Sequence, residues 1–210
     1  MIEFVTASHD EDVYEQNLKR SLLMQSFPPY VQRNYTNISK AYNDYEQGGS
    51  EVYCFLHHDL YLPETFADQL YDQFEILPEY WGVVGVCGVK LINGKRENFG
   101  HILDRGKPWA FNTDKLPAEV ASLDELLLIT RGDYVFDENL PQDFYGADIC
   151  MQARAQGRKC YVINAYAEHN SSRPFKGEGL RTESYYKSRE YFREKWKQYL
   201  PICTTTGIIE

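Results

Sequence analysis

Short apolar runs alternate with helix-like stretches through the first eighty residues, and this limits the possible fold more than any other feature of the chain. Residues 2–7, a run near 30–32, and 51–56 read as strands. Residues 11–24, 37–47 and 64–77 carry helical spacing, with Val13, Leu18, Leu22 and Leu23 roughly on one face and Gly48–Gly49 or Pro78 as stops. Strands and helices in strict alternation predict an α/β fold built on a mostly parallel sheet covered on both faces. Residues 81–91 continue as a glycine-containing strand, and Asn93–Gly94 marks a hairpin turn. Residues 96–116 read as a long irregular connection, the kind that often binds ligands. Then come a strand at 122–130, a helix at 147–156 stopped by Gly157, and a strand at 159–164. A polar loop at 176–182 and an amphipathic helix within 183–200 follow. At 210 residues, without internal repeat or linker, the chain reads as a single domain, 1–210.

The third strand ends abruptly. Tyr53-Cys54-Phe55-Leu56 runs into His57-His58-Asp59, and apolar residues resume at Leu60. Ligands of parallel sheets bind beyond the carboxyl ends of the strands, so metal-capable side chains there mark a candidate site. His57 and Asp59 are two apart and share a face of an extended chain. A simple turn, or a cap for the next helix, explains His58 and Asp59 equally well.

Composition narrows the partners. A net charge of −9 argues against a general nucleic-acid binder, which needs clustered Lys and Arg. Five cysteines without a close pair suit a reducing cytoplasm. No leader peptide and no bilayer-spanning apolar run is read in the chain.

Further candidates lie downstream. Asp148 stands at a helix start, where an acid also serves as a cap. His169 follows the strand at 159–164 in a polar patch. Arg131, beside Gly132–Asp133, suits a diphosphate or a surface ion pair. Trp109 suits either a sugar-stacking platform or a packed anchor for its loop. The tail alternates basic and aromatic residues. It reads as a helix packed back on the domain, a dimer contact or a peripheral membrane contact.

Four passages together carry a family resemblance: Phe4-Val5-Thr6-Ala7-Ser8; Asn37 to Asn43 leading to Phe55-Leu56-His57-His58-Asp59; Gly146-Ala147-Asp148 running to Gly157; and His169. In their order and spacing the chain resembles an inverting glycosyltransferase of GT-A fold, family 2-like. It is most similar to the small subgroup associated with streptomycin-type biosynthesis proteins.

The resemblance implies a nucleotide-diphosphate sugar donor, a carbohydrate, lipid-linked or other hydroxyl acceptor, and Mn²⁺ or Mg²⁺ as cofactor. It implies polysaccharide or glycoconjugate synthesis in the cytoplasm or at the inner face of a membrane. It assigns the metal to Asp59, His57 and His169, and the nucleotide sugar to Thr6, Ala7, Ser8, Asn37, Asn43, His57, His58 and Arg131. It leaves Trp109 for the acceptor.

Two departures stand out. The family's strand-end motif has acids at both ends, whereas here His57 replaces the first, which leans toward Mn²⁺. Tyr145–Gly146 occupies the place of the acidic pair that supplies the catalytic base, leaving Asp148 or Asp143 for that role. Two rival readings follow: a nucleotide-sugar-binding protein that does not transfer, and a metal-dependent hydrolase using His57, His58, Asp59 and His169.

Overall fold

A computed structural model describes residues 2–46, 49–131, 134–171 and 181–210. Residues 176–180 of the expected loop therefore lie outside the described residues, as do Gly48, Gly132 and Asp133.

The first half follows the expected alternation. Strand β1 (Ile2–Ser8) leads to helices α1 (Glu11–Gln16) and α2 (Leu22–Ser26), then β2 (Tyr30–Arg33), α3 (Ile38–Asn43) and β3 (Val52–His57). The expected helix over 11–24 is broken. The Asn17 side chain donates to Val13 O, ending the first turn set, and Ser21 adopts an extended backbone. Ser21 is fully buried, where its hydroxyl accepts the Leu62 N–H at 2.9 Å. A buried polar group needs such a partner, and tertiary demand overrides helical spacing here.

After β3 come β4 (Leu60–Tyr61), α4 (Phe66–Ile76), β5 (Trp81–Gly85) and β6 (Cys87–Ile92). The strand expected over 81–91 is thus two strands in two different sheets, divided at Val86. Asn93 and Gly94, at φ 52° and 76°, form the expected hairpin turn. The irregular connection expected over 96–116 is instead mostly a β-ribbon, β7 (Lys95–Asp104) and β8 (Lys107–Phe111), turned at Arg105–Gly106. Its polar, glycine- and proline-containing sequence hides the pairing.

Strands β9 (Ala118–Val120), β10 (Ser122–Leu123) and β11 (Leu127–Arg131) precede helix α5 (Tyr145–Ala155). Strands β12 (Lys159–Val162) and β13 (Ala167–His169), helix α6 (Glu183–Lys195), and a terminal hairpin of β14 (Ile202–Thr204) and β15 (Gly207–Ile209) complete the chain.

The main sheet has the order β2-β1-β3-β11-β5-β12-β9. It is mixed: β2, β1 and β3 are parallel, but β11 runs antiparallel between β3 and β5, and β9 runs antiparallel to β12. This corrects the mostly parallel sheet. Alternating residues divide the core. Val5, Phe55 and Val83 face α3, α5 and α6, while Phe4, Cys54, Leu56 and Val84 face α1, α2 and α4. A second sheet, β10-β6-β7-β13-β4 with β8 on β7, meets the first near the end of β3.

The aromatic stripe of α6 packs inward. Tyr185, Phe192 and Trp196 are buried, and the Phe192 ring stacks on Phe144 at 5.4 Å. Among the described residues, no helix is long and apolar enough to cross a membrane. All five cysteines are buried and free.

Candidate active site

Backbone register assembles the site. Strand β3 delivers His57 beside Ala7, and the chain turns through His58 and Asp59 into β4. Strand β4 pairs antiparallel with β13, setting His169 opposite Leu60, while Asn170 N–H donates to Asp59 O at 2.9 Å. Strand β13 pairs in parallel with β7, which sets Asp104 opposite His169. On the other side, His57 N–H donates to Leu126 O at 2.9 Å, which draws the Asp124–Glu125 corner toward the same spot.

His57, Asp59 and His169 thereby form one group whose ligand atoms all lie within 4.8 Å of one another. Asp59 Oδ1 is buried and has no hydrogen-bond partner. His169 Nε2 stands 3.5 Å from it and His57 Nδ1 3.9 Å, both too long for a good hydrogen bond. A buried carboxylate oxygen without a partner, facing two imidazole nitrogens, fits a divalent cation.

Each imidazole is held from its far side. His57 Nε2 lies 2.8 Å from the buried Tyr145 Oη, and His169 Nδ1 lies 2.9 Å from Asp104 Oδ1. Arg105 in turn donates to Asp104 Oδ2 at 2.6 Å.

The electrostatics differ between the two histidines. Burial lowers the pKa of His57 to about 4, with Asp59 only partly opposing, so His57 is neutral at pH 7. Burial would lower His169 too, but Asp59, Asp124 and Asp104 outweigh it and hold it up at about 9. Burial would raise Asp59; contact with His169 and the charges of the neighbouring histidines instead hold it well below the carboxylate range.

The raised value has a consequence for the metal-free protein. Its His169 contribution to stability is full below pH 6.5 and is lost as pH rises through about 9. Thermal melts with chelator should show on the order of 3 kcal/mol less stability at pH 9.5 than at pH 6 from this group. His169→Asn should flatten that slope; an equal slope in the variant would refute the assignment. Metal binding requires neutral His169 and so should release a proton.

The sequence candidates divide into three sets. At the end of β1, Ala7 pairs with His57 and is half-buried, while Thr6 and Ser8 are buried. His58 is buried, with Nδ1 3.0 Å from Ser8 Oγ and its ring 4.6 Å from that of His9. Trp109, on β8, lines a cleft of about 320 Å³ with Asp104, Arg105, Asp124 and His169.

Asn37 and Asn43 act as clamps. Asn37 caps α3 and donates to Glu138 O, while Asn43 pairs with both backbone groups of Phe136.

Arg131 and Asp148 stand apart from the cluster. Because β11 is antiparallel, Arg131 pairs with Val52 at the far end of β3 and donates to Glu79 O. Its assignment to the diphosphate is corrected on that ground. Asp148 is fully buried. It accepts Trp196 Nε1–H at 2.7 Å and Gln152 Nε2–H at 2.7 Å, and lies 2.7 Å from Lys195 Nζ. This arrangement ties α6 to α5. It leaves no exposed oxygen for an acceptor hydroxyl, which corrects the base assigned to Asp148. Asp143 is half-buried in the turn before α5, close enough for its charge to act on Glu125.

Glu125 escaped the sequence reading. Its Oε1 accepts the Gly146 N–H at 3.2 Å, so it caps the start of α5 from the turn between β10 and β11. A Cβ on Gly146 would sit 2.7 Å from Glu125 Cγ, so glycine is what admits this carboxyl. Burial pushes the Glu125 carboxyl well up, with Asp124 and Asp143 adding to the effect. Asp104, Asp124 and Glu125 carry no motif; only long-range register finds them. A larger cleft of about 710 Å³, lined by Lys90, Arg154 and Arg158, opens at the opposite end of α5 and holds none of these groups.

A mixed α/β domain with a metal-capable cluster at the end of a central strand is consistent with a GT-A-like domain. A family model described as a glycosyltransferase-like family matches residues 3–196, and the chain belongs to that family. A curated relative, "ATP synthase subunits region ORF 6" of Fuscovulum blasticum, is 30% identical over 160 residues. The match covers 70% of this chain and 60% of that protein's length. The crystal structure of A197 from STIV aligns at 12% identity with a TM-score of 0.44, covering 78% of this chain and 81% of that one. At that score the likeness carries no weight for function.

Proposed function

We propose that the protein transfers a sugar, with inversion, from a nucleotide-diphosphate donor to an acceptor hydroxyl. The family membership supports the transferase class. The observation that supports metal assistance is the buried Asp59 Oδ1, without a short hydrogen bond, between His57 and His169 and beside the Trp109-lined cleft.

His57, Asp59 and His169 would hold a divalent cation. Two imidazoles and one carboxylate suit Mn²⁺ better than Mg²⁺. When bound, that ion supplies Lewis-acid stabilisation of the departing diphosphate. We assign the nucleoside to the end of β1, where Ala7 is half-buried beside His57 and His58 holds the buried Ser8. The acceptor would enter the cleft against Trp109, its hydroxyl turned toward Asp124. With Asp148 tied into the α5–α6 contact, we assign the base role to Asp124, which lines the cleft; Asp143 is the remaining sequence candidate. A base needs reach to the acceptor proton before it needs a tuned pKa.

One observation favours a second reading, that of a nucleotide-sugar binder without transfer: Tyr145–Gly146 stands where the resemblance expects an acidic pair. A hydrolase would instead retain zinc or iron through purification, which metal analysis tests.

The test is a thermal-shift panel of UDP, GDP, CDP and dTDP, with Mn²⁺ or with chelator, followed by turnover of the matching nucleotide sugars. A Mn²⁺-dependent rise in Tm with one nucleotide, and donor turnover, is the expected result. A shift without any turnover, even slow donor hydrolysis, selects the binder. No shift with any nucleotide removes both.

A further inference from the structure

We propose that Tyr145 and Asp104 are positioning residues that set the two imidazoles of the His57–Asp59–His169 cluster in the tautomers a metal requires. The proposal rests on the metal reading above and deepens it. An imidazole binds a cation through an unprotonated nitrogen, and the partner of its other nitrogen decides which one that is.

At His57 the far nitrogen is Nε2, 2.8 Å from Tyr145 Oη. Tyr145 Oη is also 3.4 Å from Glu125 O, a carbonyl that only accepts. A phenol has one proton, and we assign it to Glu125 O, so that at the shorter contact Tyr145 Oη accepts the His57 Nε2–H; the histidine-ring spectra test that direction. This leaves His57 Nδ1 with its lone pair directed at Asp59 Oδ1.

At His169 the far nitrogen is Nδ1. Asp104 Oδ1 accepts its N–H at 2.9 Å, and Arg105 anchors Asp104 by its side chain and His169 by its backbone N–H, which donates to His169 O at 2.8 Å. With the Nδ1–H held by Asp104, the proton that His169 gives up to a metal is the one on Nε2, 3.5 Å from the same Asp59 oxygen. Two independent networks, from α5 and from β7, converge on one buried oxygen, Asp59 Oδ1.

Tyr145 is 1% exposed, so water does not compete for its hydroxyl. The start of α5 thus carries a neutral phenol that supports a ligand, in the place where the resemblance expects a proton acceptor. Replacing outer partners of this kind weakens metal binding by roughly 10- to 100-fold in other sites.

The experiment is calorimetric titration of Mn²⁺ into the chelator-stripped 210-residue chain, as parent, Tyr145→Phe and Asp104→Asn. Two-bond ¹H–¹⁵N correlation spectra of the histidine rings in the metal-free parent and Tyr145→Phe accompany it. The expected result is a roughly 10- to 100-fold weaker Mn²⁺ Kd in each variant. His57 should be the Nε2–H tautomer in the parent and a mixture in Tyr145→Phe. A variant Kd within about twofold of the parent, or an Nδ1–H His57 in the parent, overturns the role given to Tyr145 while the metal site stands. No Mn²⁺ binding by the parent removes the metal reading itself and the positioning role with it. If Tyr145→Phe does not fold, Asp104→Asn and the parent spectrum still decide.

Discussion

Asp59→Ala is expected to abolish measurable Mn²⁺ binding and, with it, any metal-dependent nucleotide shift. The loss should exceed the roughly 10- to 100-fold that follows removal of an outer partner, because Asp59 supplies the anionic oxygen toward which both histidines are directed. In the parent that oxygen is buried and partnerless. Removing it leaves two imidazoles without a charge to balance a dication. Calorimetry with Mn²⁺ alone, then nucleotide thermal shifts with and without chelator, checks this. A variant that binds both as tightly as the parent would overturn the central assignment of the site.

Asp148→Ala is expected to act on stability. Its carboxylate is fully buried and holds Trp196 Nε1–H and Lys195 Nζ, both at 2.7 Å. Lys195 is part-exposed and keeps Asp137 at 2.7 Å, so the cost falls on the buried Trp196 N–H left without its acceptor, about 1–3 kcal/mol. For a chain of this size that lowers Tm by roughly 2–12 °C. Asp148→Asn keeps an acceptor for Trp196 and should cost less. If Asp148 were instead the proton acceptor, the asparagine variant would keep the parent's Tm and lose turnover.

Much of the fold was legible wherever periodicity and local signals agree. Strands β1 and β3 and the Asn93–Gly94 turn follow from apolar runs and turn chemistry close in sequence. The reading failed where long-range pairing decides. Strands β7 and β8 look like a loop because their residues are polar and half-exposed. The direction of β11 is invisible locally, and it alone moves Arg131 from the expected site to the far end of β3.

The candidate site shows the same division. The histidine–aspartate triplet ends an apolar run and announces itself. His169 required the family likeness to be singled out, and Asp104, Asp124 and Glu125 required the pairing of β13 with β7 and of β11 with β3. Asp148 misled because an acid at a helix start looks alike whether it faces solvent or a tryptophan from a distant helix.

The contact between Glu125 and the start of α5 ties two positions together across twenty residues of sequence. An acid introduced at position 146 alone would bring its Cβ to 2.7 Å from Glu125 Cγ and displace the carboxyl that caps the helix. Shortening Glu125 alone would leave the Gly146 N–H without that partner. Substitutions at the two positions are therefore non-additive, as expected for residues in contact. An acidic helix start in this chain takes two changes, each unfavourable without the other, so Gly146 and Glu125 can be exchanged only as a pair.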